Sequence, residues 1–141
     1  MTQPVHVTVV ARCGPGGRWR GAALFGPSGA GKSDLALRLI GNGWRLVADD
    51  YAHLFASDGR LFARAPETLR GRIEARGVGI LTMPVVDLAP VVLAIELTTG
   101  GVERLPEPEK REVSGVSLPL LRIDPREGSA GEKVAAAIAR L

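Results

Sequence analysis

The residues Gly26–Ser33 read GPSGAGKS and match the spacing G-x-x-x-x-G-K-S/T. Glycines let such a loop adopt positive φ angles and bring several backbone N–H groups close to phosphate oxygens. Lys32 has the charge and reach to contact β- and γ-phosphates, and the Ser33 hydroxyl is suited to help hold Mg²⁺. The motif therefore predicts a nucleotide-binding P-loop formed by Gly26, Pro27, Ser28, Gly29, Ala30, Gly31, Lys32 and Ser33.

The segments on either side of this loop have the composition that a P-loop requires. An apolar run, Gly21–Phe25, precedes it and reads as a strand. Asp34–Asn42 is rich in leucine and is followed by a glycine stop signal, which predicts a helix buried against a sheet. A helix starting at the loop would add the positive end of its dipole to the phosphate site.

Asp49 and Asp50 follow Arg45–Ala48, which reads as a buried strand. Ligands of open α/β sheets bind beyond the carboxyl ends of strands, and a strand beside the P-loop strand would bring these carboxylates near the terminal phosphate. There, one could ligate Mg²⁺ and the other accept a hydroxyl proton. The alternative is a solvated turn, and the neighbouring P-loop favours the catalytic interpretation.

Four further groups are ambiguous from their spacing alone. His6 lies in a predicted strand, where a structural role is the commoner one. Glu74 with Arg76 could be a solvated charge pair, and Arg104 could be an exposed loop charge.

Turn signals and apolar runs predict an α/β domain with a mixed sheet that contains hairpins, not a regular βαβ array. We expect no second domain in 141 residues. The other predicted elements are a strand at Val5–Ala11 that forms a hairpin with Gly21–Phe25, a hairpin of Ala52–Ala56 with Leu61–Ala65, a short helix at Pro66–Arg72, strands at Gly77–Leu81 and Val91–Leu97, and a helix at Gly131–Leu141.

Composition narrows the class of protein. A hydrophobic content of 45% can supply a core, and the single cysteine, Cys13, excludes an internal disulfide. The net charge of +3 is compatible with an anionic partner, but an aromatic content of 4% argues against a nucleic-acid platform. No apolar run long enough for a membrane span and no signal peptide are evident, so we expect a cytoplasmic protein.

The run GPSGAGKSDLALRLIGNGWRLVADD, followed by IEARGVGIL, resembles the catalytic domain of HPr kinase/phosphorylase. The resemblance extends from about His6 to Ala137. It implies a P-loop nucleotide-binding domain of the HPr kinase / PEP carboxykinase-like type, in a short form without a separate N-terminal domain. It also implies ATP and Mg²⁺ as cofactors.

The resemblance also assigns roles to individual residues. It makes Lys32 catalytic, Ser33 a Mg²⁺ ligand and Asp50 the catalytic base. His6 corresponds to the histidine beside that carboxylate, and Glu74 to the acidic Mg²⁺ position. Arg104 corresponds to a catalytic arginine on a later loop.

The function implied is phosphorylation of a serine of HPr, the phosphocarrier protein of the sugar phosphotransferase system, by a homo-oligomer that is hexameric in the family. The segment Asp124–Ser129 (DPREGS) lacks the pattern associated with the reverse, phosphorylase reaction. Two alternatives stay open, an ATP-binding regulatory module with weak or no transfer and a kinase for a small metabolite.

Overall fold

The computed structural model describes residues 3–141, which form eleven β-strands and two α-helices. No helix in this part of the chain is long and apolar enough to cross a membrane. Short 3₁₀ turns lie at Pro15–Gly17 and Glu67–Leu69. The elements are β1 Val5–His6, β2 Thr8–Cys13, β3 Trp19–Phe25, α1 Lys32–Ile40, β4 Arg45–Ala48, β5 Tyr51–Ser57, β6 Arg60–Arg64, β7 Arg72–Ala75, β8 Gly79–Thr82, β9 Ala89–Leu97, β10 Glu109–Val113, β11 Val116–Ile123 and α2 Ala130–Ala139.

The long apolar strand β9 is the centre of a nine-stranded mixed sheet. On one side it pairs in parallel with β3. On its other side, β6 pairs antiparallel with its first residues and β11 pairs in parallel with its last residues. The strand order is β1-β5-β6-β9-β3-β2-β4, with the β10–β11 hairpin attached to β9, while β7 and β8 form a separate hairpin.

The sheet curls because two of its chain segments bend together at one point. Val9 of β2 pairs with Ala48 of β4, and His6 of β1 pairs with Tyr51 of β5. Between these pairs the Val7 N–H donates to the Asp50 carbonyl oxygen at 3.1 Å. The segment β1–β2 thus stays antiparallel to β4–β5 across the bend. Because β1 lies at one end of the strand order and β2 near the other, this segment connects the two ends of the sheet.

One expectation about the sheet is wrong. The strand β4 does not lie beside the P-loop strand β3, because β2 lies between them and pairs antiparallel with both. Two antiparallel pairings leave β4 running parallel to β3, so that both strands end at the same edge of the sheet. Asp49 and Asp50 therefore still emerge next to the P-loop.

Apolar side chains fill both faces of the sheet. On one face, Leu35 and Leu39 of α1 pack with Val134 and Ile138 of α2 over the central strands. Leucines four residues apart lie on the same side of a helix, so α1 presents one apolar face to this cluster. On the other face, the curl encloses a second cluster rich in valine and alanine from the bent strands and β9.

Most predicted elements near the P-loop are confirmed. The β2–β3 and β5–β6 hairpins, α1, β4 and α2 lie where their turn signals and apolar patterns placed them. The helix predicted at Pro66–Arg72 is wrong, because only Glu67–Leu69 forms a 3₁₀ turn and Arg72 already belongs to β7. The hairpin β10–β11 was not predicted, since its strands carry charged residues and Pro119.

We expect the buried leucines of α1 to contribute strongly to the stability of the domain, because they pack in its core. We predict that Leu39→Ala lowers the free energy of unfolding by about 2–5 kcal/mol, because Leu39 is 1% exposed and its removal leaves a cavity. Urea denaturation followed by circular dichroism measures this. Leu88→Ala is the control, since Leu88 is 51% exposed and its loss should change stability by no more than about 0.5 kcal/mol. Equal effects of the two changes would contradict the prediction.

Candidate active site

The loop between β3 and α1 has the backbone conformation that its glycines permit. Gly29 and Gly31 have φ angles of 83° and 102°, in the left-handed region that favours glycine. A Cβ atom at Gly31 would also lie 3.3 Å from Cγ of Pro125, so a larger residue would be crowded there. The Leu35 N–H donates to the Gly31 carbonyl oxygen at 2.9 Å and starts the helix. The preceding N–H groups lack partners within α1 and form an anion-binding end.

Lys32 lies beneath this loop and is only 6% exposed. Its Nζ donates to the carbonyl oxygens of Gly26 at 2.6 Å and Pro27 at 2.9 Å. Burial lowers the pKa of Lys32 from its ordinary value, and the nearby carboxylates of Asp50 and Asp49 oppose this shift. The ammonium group is therefore held in place at the base of the loop.

Asp49 joins three elements through one buried carboxylate. Its Oδ1 accepts hydrogen bonds from Oγ of Ser33 at 2.7 Å and from Oγ1 of Thr8 at 2.9 Å. Its Oδ2 accepts a longer bond, of 3.4 Å, from the backbone N–H of Glu74. The side chain thus connects α1, β2 and β7, and it keeps the Ser33 hydroxyl at the mouth of the P-loop.

Asp50 differs from its neighbour in being open to solvent, with 61% of its side chain exposed. Its Oδ1 lies 3.2 Å from Nε2 of His6, and its backbone N–H donates to Oγ1 of Thr8 at 3.4 Å. The His6 ring also contacts the ring of Tyr51, with 5.4 Å between centroids. An accessible carboxylate oriented by an imidazole has the arrangement that a general base requires.

Lys32 and Asp50 line a cleft of about 730 Å³, whereas the buried Asp49 is not among the residues that border it. His6, Asp50, Glu74 and the part of the loop from Ser28 to Ser33 all border it. Gly26 and Pro27 contribute their carbonyl oxygens to Lys32 instead. Arg104 lies on the exposed segment between β9 and β10 and is not among the residues that border the cleft.

Three residues of the site were not singled out by sequence reasoning. Asp49 was considered only as one of a pair, although its carboxylate makes more bonds than that of Asp50. Thr8 stands two residues from His6, and the alternation of a strand would have placed both on one face. Arg126 borders the cleft from the segment Asp124–Ser129. No signal in the printed sequence distinguishes it from other loop arginines.

The segment Asp124–Ser129 is fastened to the P-loop helix. Arg38 of α1 donates through its guanidinium to the carbonyl oxygens of Pro125 at 2.7 Å and Glu127 at 3.0 Å. Arg126 forms a bidentate ion pair with Asp124, in which Nε donates to Oδ1 at 3.0 Å and Nη2 donates to Oδ2 at 2.8 Å. The side-chain and backbone N–H groups of Arg126 lower the pKa of Asp124 to about 2.

The oxygen donors of the cleft are of the kind that Mg²⁺ accepts. Among the described residues, no three His, Cys, Asp or Glu side chains converge on one point to form a metal cage. Mg²⁺ is commonly held by one or two carboxylates together with phosphate oxygens and water. The Ser33 hydroxyl and the carboxylates of Asp49 and Glu74 fit that pattern.

A strand–loop–helix phosphate site on a curled, mixed sheet defines a P-loop nucleotide-binding domain of the HPr kinase type. The family model described as HPr Serine kinase C-terminal domain matches residues 19–140. The chain belongs to this family.

Two named relatives are the HPr kinase/phosphorylases of Streptococcus pneumoniae serotype 2 (strain D39 / NCTC 7466) and strain ATCC BAA-255 / R6. Each is 40% identical over 121 residues, covering 77% of this chain and 39% of the relative. The chain thus spans about two fifths of the length of these curated relatives. The structure of the Hpr(Ser) kinase/phosphatase from Coxiella burnetii matches with a TM-score of 0.81 at 23% identity, over 99% of this chain and 95% of that one. This likeness confirms the fold.

The bonds of Thr8 predict its contribution to stability. Thr8→Val keeps the shape of the fully buried side chain but removes a donor to Asp49 and an acceptor for the Asp50 N–H. We expect the free energy of unfolding to fall by about 1–3 kcal/mol, because buried polar groups lose their partners. Thermal and urea unfolding measure this. Thr82→Val, at an exposed position of β8, is the matched control. A Thr8→Val protein as stable as that control would contradict the prediction.

The Asp124–Arg126 pair predicts a pH dependence of stability. A carboxyl group whose pKa is depressed on folding stabilises the protein above its unfolded pKa, and that contribution is lost as pH falls through the folded value. The stability difference between wild type and Asp124→Asn should therefore be constant above about pH 5 and shrink between about pH 4 and pH 2. Urea unfolding across this range measures it.

Arg126→Gln removes the partner that depresses the Asp124 pKa, so the same comparison made in that background should lose most of its pH dependence. A wild-type difference that persists unchanged to pH 2 would show that the pair does not stabilise the segment.

Proposed function

We propose that the chain is the catalytic part of an ATP-dependent protein-serine kinase that phosphorylates HPr. One observation carries the proposal. The exposed Asp50 carboxylate, 3.2 Å from Nε2 of His6, borders the same cleft as a P-loop whose lysine and serine are already positioned. The cleft thus combines a site for a nucleotide triphosphate with a base for an incoming hydroxyl.

The P-loop holds the triphosphate. The backbone N–H groups of Gly29–Ser33 and the start of α1 bind phosphate oxygens, and Lys32 neutralises charge that develops on the transferred group. Ser33, Asp49 and Glu74 would hold Mg²⁺, which would offset the negative charge of the phosphates.

Asp50 activates the acceptor. Its carboxylate takes the proton from a serine hydroxyl, while the hydroxyl oxygen forms a bond to the γ-phosphorus and the bond to the β,γ-bridging oxygen breaks. The products are a phosphoserine and ADP. His6 positions the Asp50 carboxylate. Most of the catalytic effect comes from orientation of the reactants and from stabilisation of charge in the transition state.

The acceptor and the cellular setting rest on the family. The relatives from Streptococcus pneumoniae are named HPr kinase/phosphorylases, which supports HPr as the acceptor. We propose the forward kinase reaction only, since the segment after β11 reads DPREGS. We also propose that the chain forms a single catalytic domain and works in the cytoplasm. Its proposed partners include neither nucleic acid nor a membrane.

Arg104 is proposed to act across a subunit boundary. Its loop is exposed and does not border the cleft of its own chain. In a homo-oligomer, such as the hexamer that the family suggests, this loop reaches the site of a neighbouring copy, where Arg104 neutralises charge on the transferred phosphoryl group.

Replacement of the base tests the mechanism. Asp50→Asn keeps a side chain that tolerates the φ angle of 70° but removes proton acceptance. We expect ATP binding to be retained within a few-fold and phosphorylation of HPr to fall by about 10²–10⁴-fold. Transfer of labelled phosphate to HPr, with calorimetry for ATP binding, measures both quantities.

Asp58→Asn is the matched control, because Asp58 also has a positive φ angle, 52°, and lies in the β5–β6 turn. Full transfer by Asp50→Asn would remove Asp50 from the base role. If the wild type binds ATP but transfers nothing, a regulatory module is supported. Turnover that needs a small acceptor supports a metabolite kinase.

A further inference from the structure

The cleft has a wall that phosphoryl transfer does not use. His6, Asp50 and Glu74 border the cleft, and in the proposed mechanism they mark the side where the acceptor enters. Pro125 and Arg126 border it from the segment after β11, which Arg38 fastens to α1. Pro125 stands against Gly31, at the first turn of the P-loop helix. A triphosphate whose terminal phosphate lies near Asp50 must extend its nucleoside away from the acceptor side.

Arg126 is presented on this wall in a fixed orientation. Nε and Nη2 are bound to both oxygens of Asp124, and the Arg126 backbone N–H donates to Oδ1 of Asp124 at 2.9 Å. The Asp124 carboxylate is largely buried, whereas the Arg126 side chain is 67% exposed. The ion pair occupies Nε and Nη2 along one edge of the guanidinium, so its flat faces are not used by the pair where Arg126 borders the cleft.

We propose that the guanidinium plane of Arg126 is the stacking platform for the base of the bound nucleotide, a role that rests on the nucleotide binding proposed above. Guanidinium groups stack on planar rings, and purine bases offer such a ring. The nucleoside thus lies along the wall formed by Pro125 and Arg126, with its triphosphate directed along the P-loop toward Asp50.

Two observations favour a contact with the base over one with phosphate. The Asp124 carboxylate already offsets the positive charge of Arg126. The pair as a whole therefore attracts phosphate weakly, whereas the flat guanidinium can still stack on a base. Among the described residues, no Phe, Tyr or Trp borders the cleft. The one aromatic ring that does, that of His6, lies against Asp50 and Tyr51 on the acceptor side. The other arginine at the cleft, Arg76, follows Glu74 on the acceptor side.

Comparison of two ligands tests the role directly. We would measure binding of ATP and of inorganic tripolyphosphate, each with Mg²⁺, by isothermal titration calorimetry. Arg126→Ala should weaken ATP binding by about 5- to 30-fold, the loss of one stacking contact, and leave tripolyphosphate binding unchanged. Arg126→Lys keeps the charge without the plane and should behave like Arg126→Ala.

Arg122→Ala is the control, because Arg122 is paired with Glu109 outside the cleft and its loss should alter neither affinity. Thermal unfolding verifies that each variant is folded. Equal weakening of both ligands, or recovery of ATP binding in Arg126→Lys, would assign Arg126 to phosphate and overturn the proposal. Unchanged ATP binding in Arg126→Ala would overturn it while leaving the kinase function intact. A wild type that binds neither ligand would instead refute the nucleotide-binding function itself, and the platform with it.

Discussion

A buried carboxylate must be hydrogen-bonded, because transfer of an unpaired charge out of water costs several kcal/mol or more. Asp49 meets this requirement with donors from three elements, the hydroxyls of Thr8 and Ser33 and the backbone N–H of Glu74. Thr8 is two residues from His6, Ser33 follows Lys32, and the third donor is the backbone of Glu74 itself. The positions of His6, Lys32 and the Glu74 side chain relative to one another therefore depend on how the strands and helix close around this one side chain.

The two adjacent aspartates occupy different environments because the chain bends between β4 and β5. Asp50 adopts a φ angle of 70°, which Asp tolerates better than most residues, and the bend leaves Asp49 buried while Asp50 faces the cleft. His6 reaches Asp50 because β1 pairs with β5 just beyond this bend. Two carboxylates in unlike surroundings are suited to unlike tasks, one structural and metal-binding and the other basic.

Much of this arrangement was predictable from local signals. The P-loop, the helix α1 and the hairpins follow from glycine positions and apolar periodicity, and the family resemblance brought His6, Asp50 and Glu74 together before the fold was known. The insertion of β2 between β3 and β4 was not predictable, because strand order depends on long-range pairing and not on local pattern. Arg126 was missed for a similar reason. The parallel pairing of β11 with β9 and the bonds from Arg38 bring that loop to the cleft, and both are long-range contacts.

Charge balance explains why the proposed phosphate site needs a divalent cation. The carboxylates of Asp49 and Asp50 act on the Lys32 ammonium, whose pKa is lowered by burial, and Glu74 borders the same cleft. Of the arginines there, Arg126 is already paired with Asp124, which leaves Arg76 as the second cation. A triphosphate placed among these side chains alone would meet more negative than positive charge. The loop N–H groups and the start of α1 supply part of the compensation. Mg²⁺ held by Ser33, Asp49 and Glu74, as proposed, would offset that repulsion, so the acidic groups would favour nucleotide binding only together with the metal.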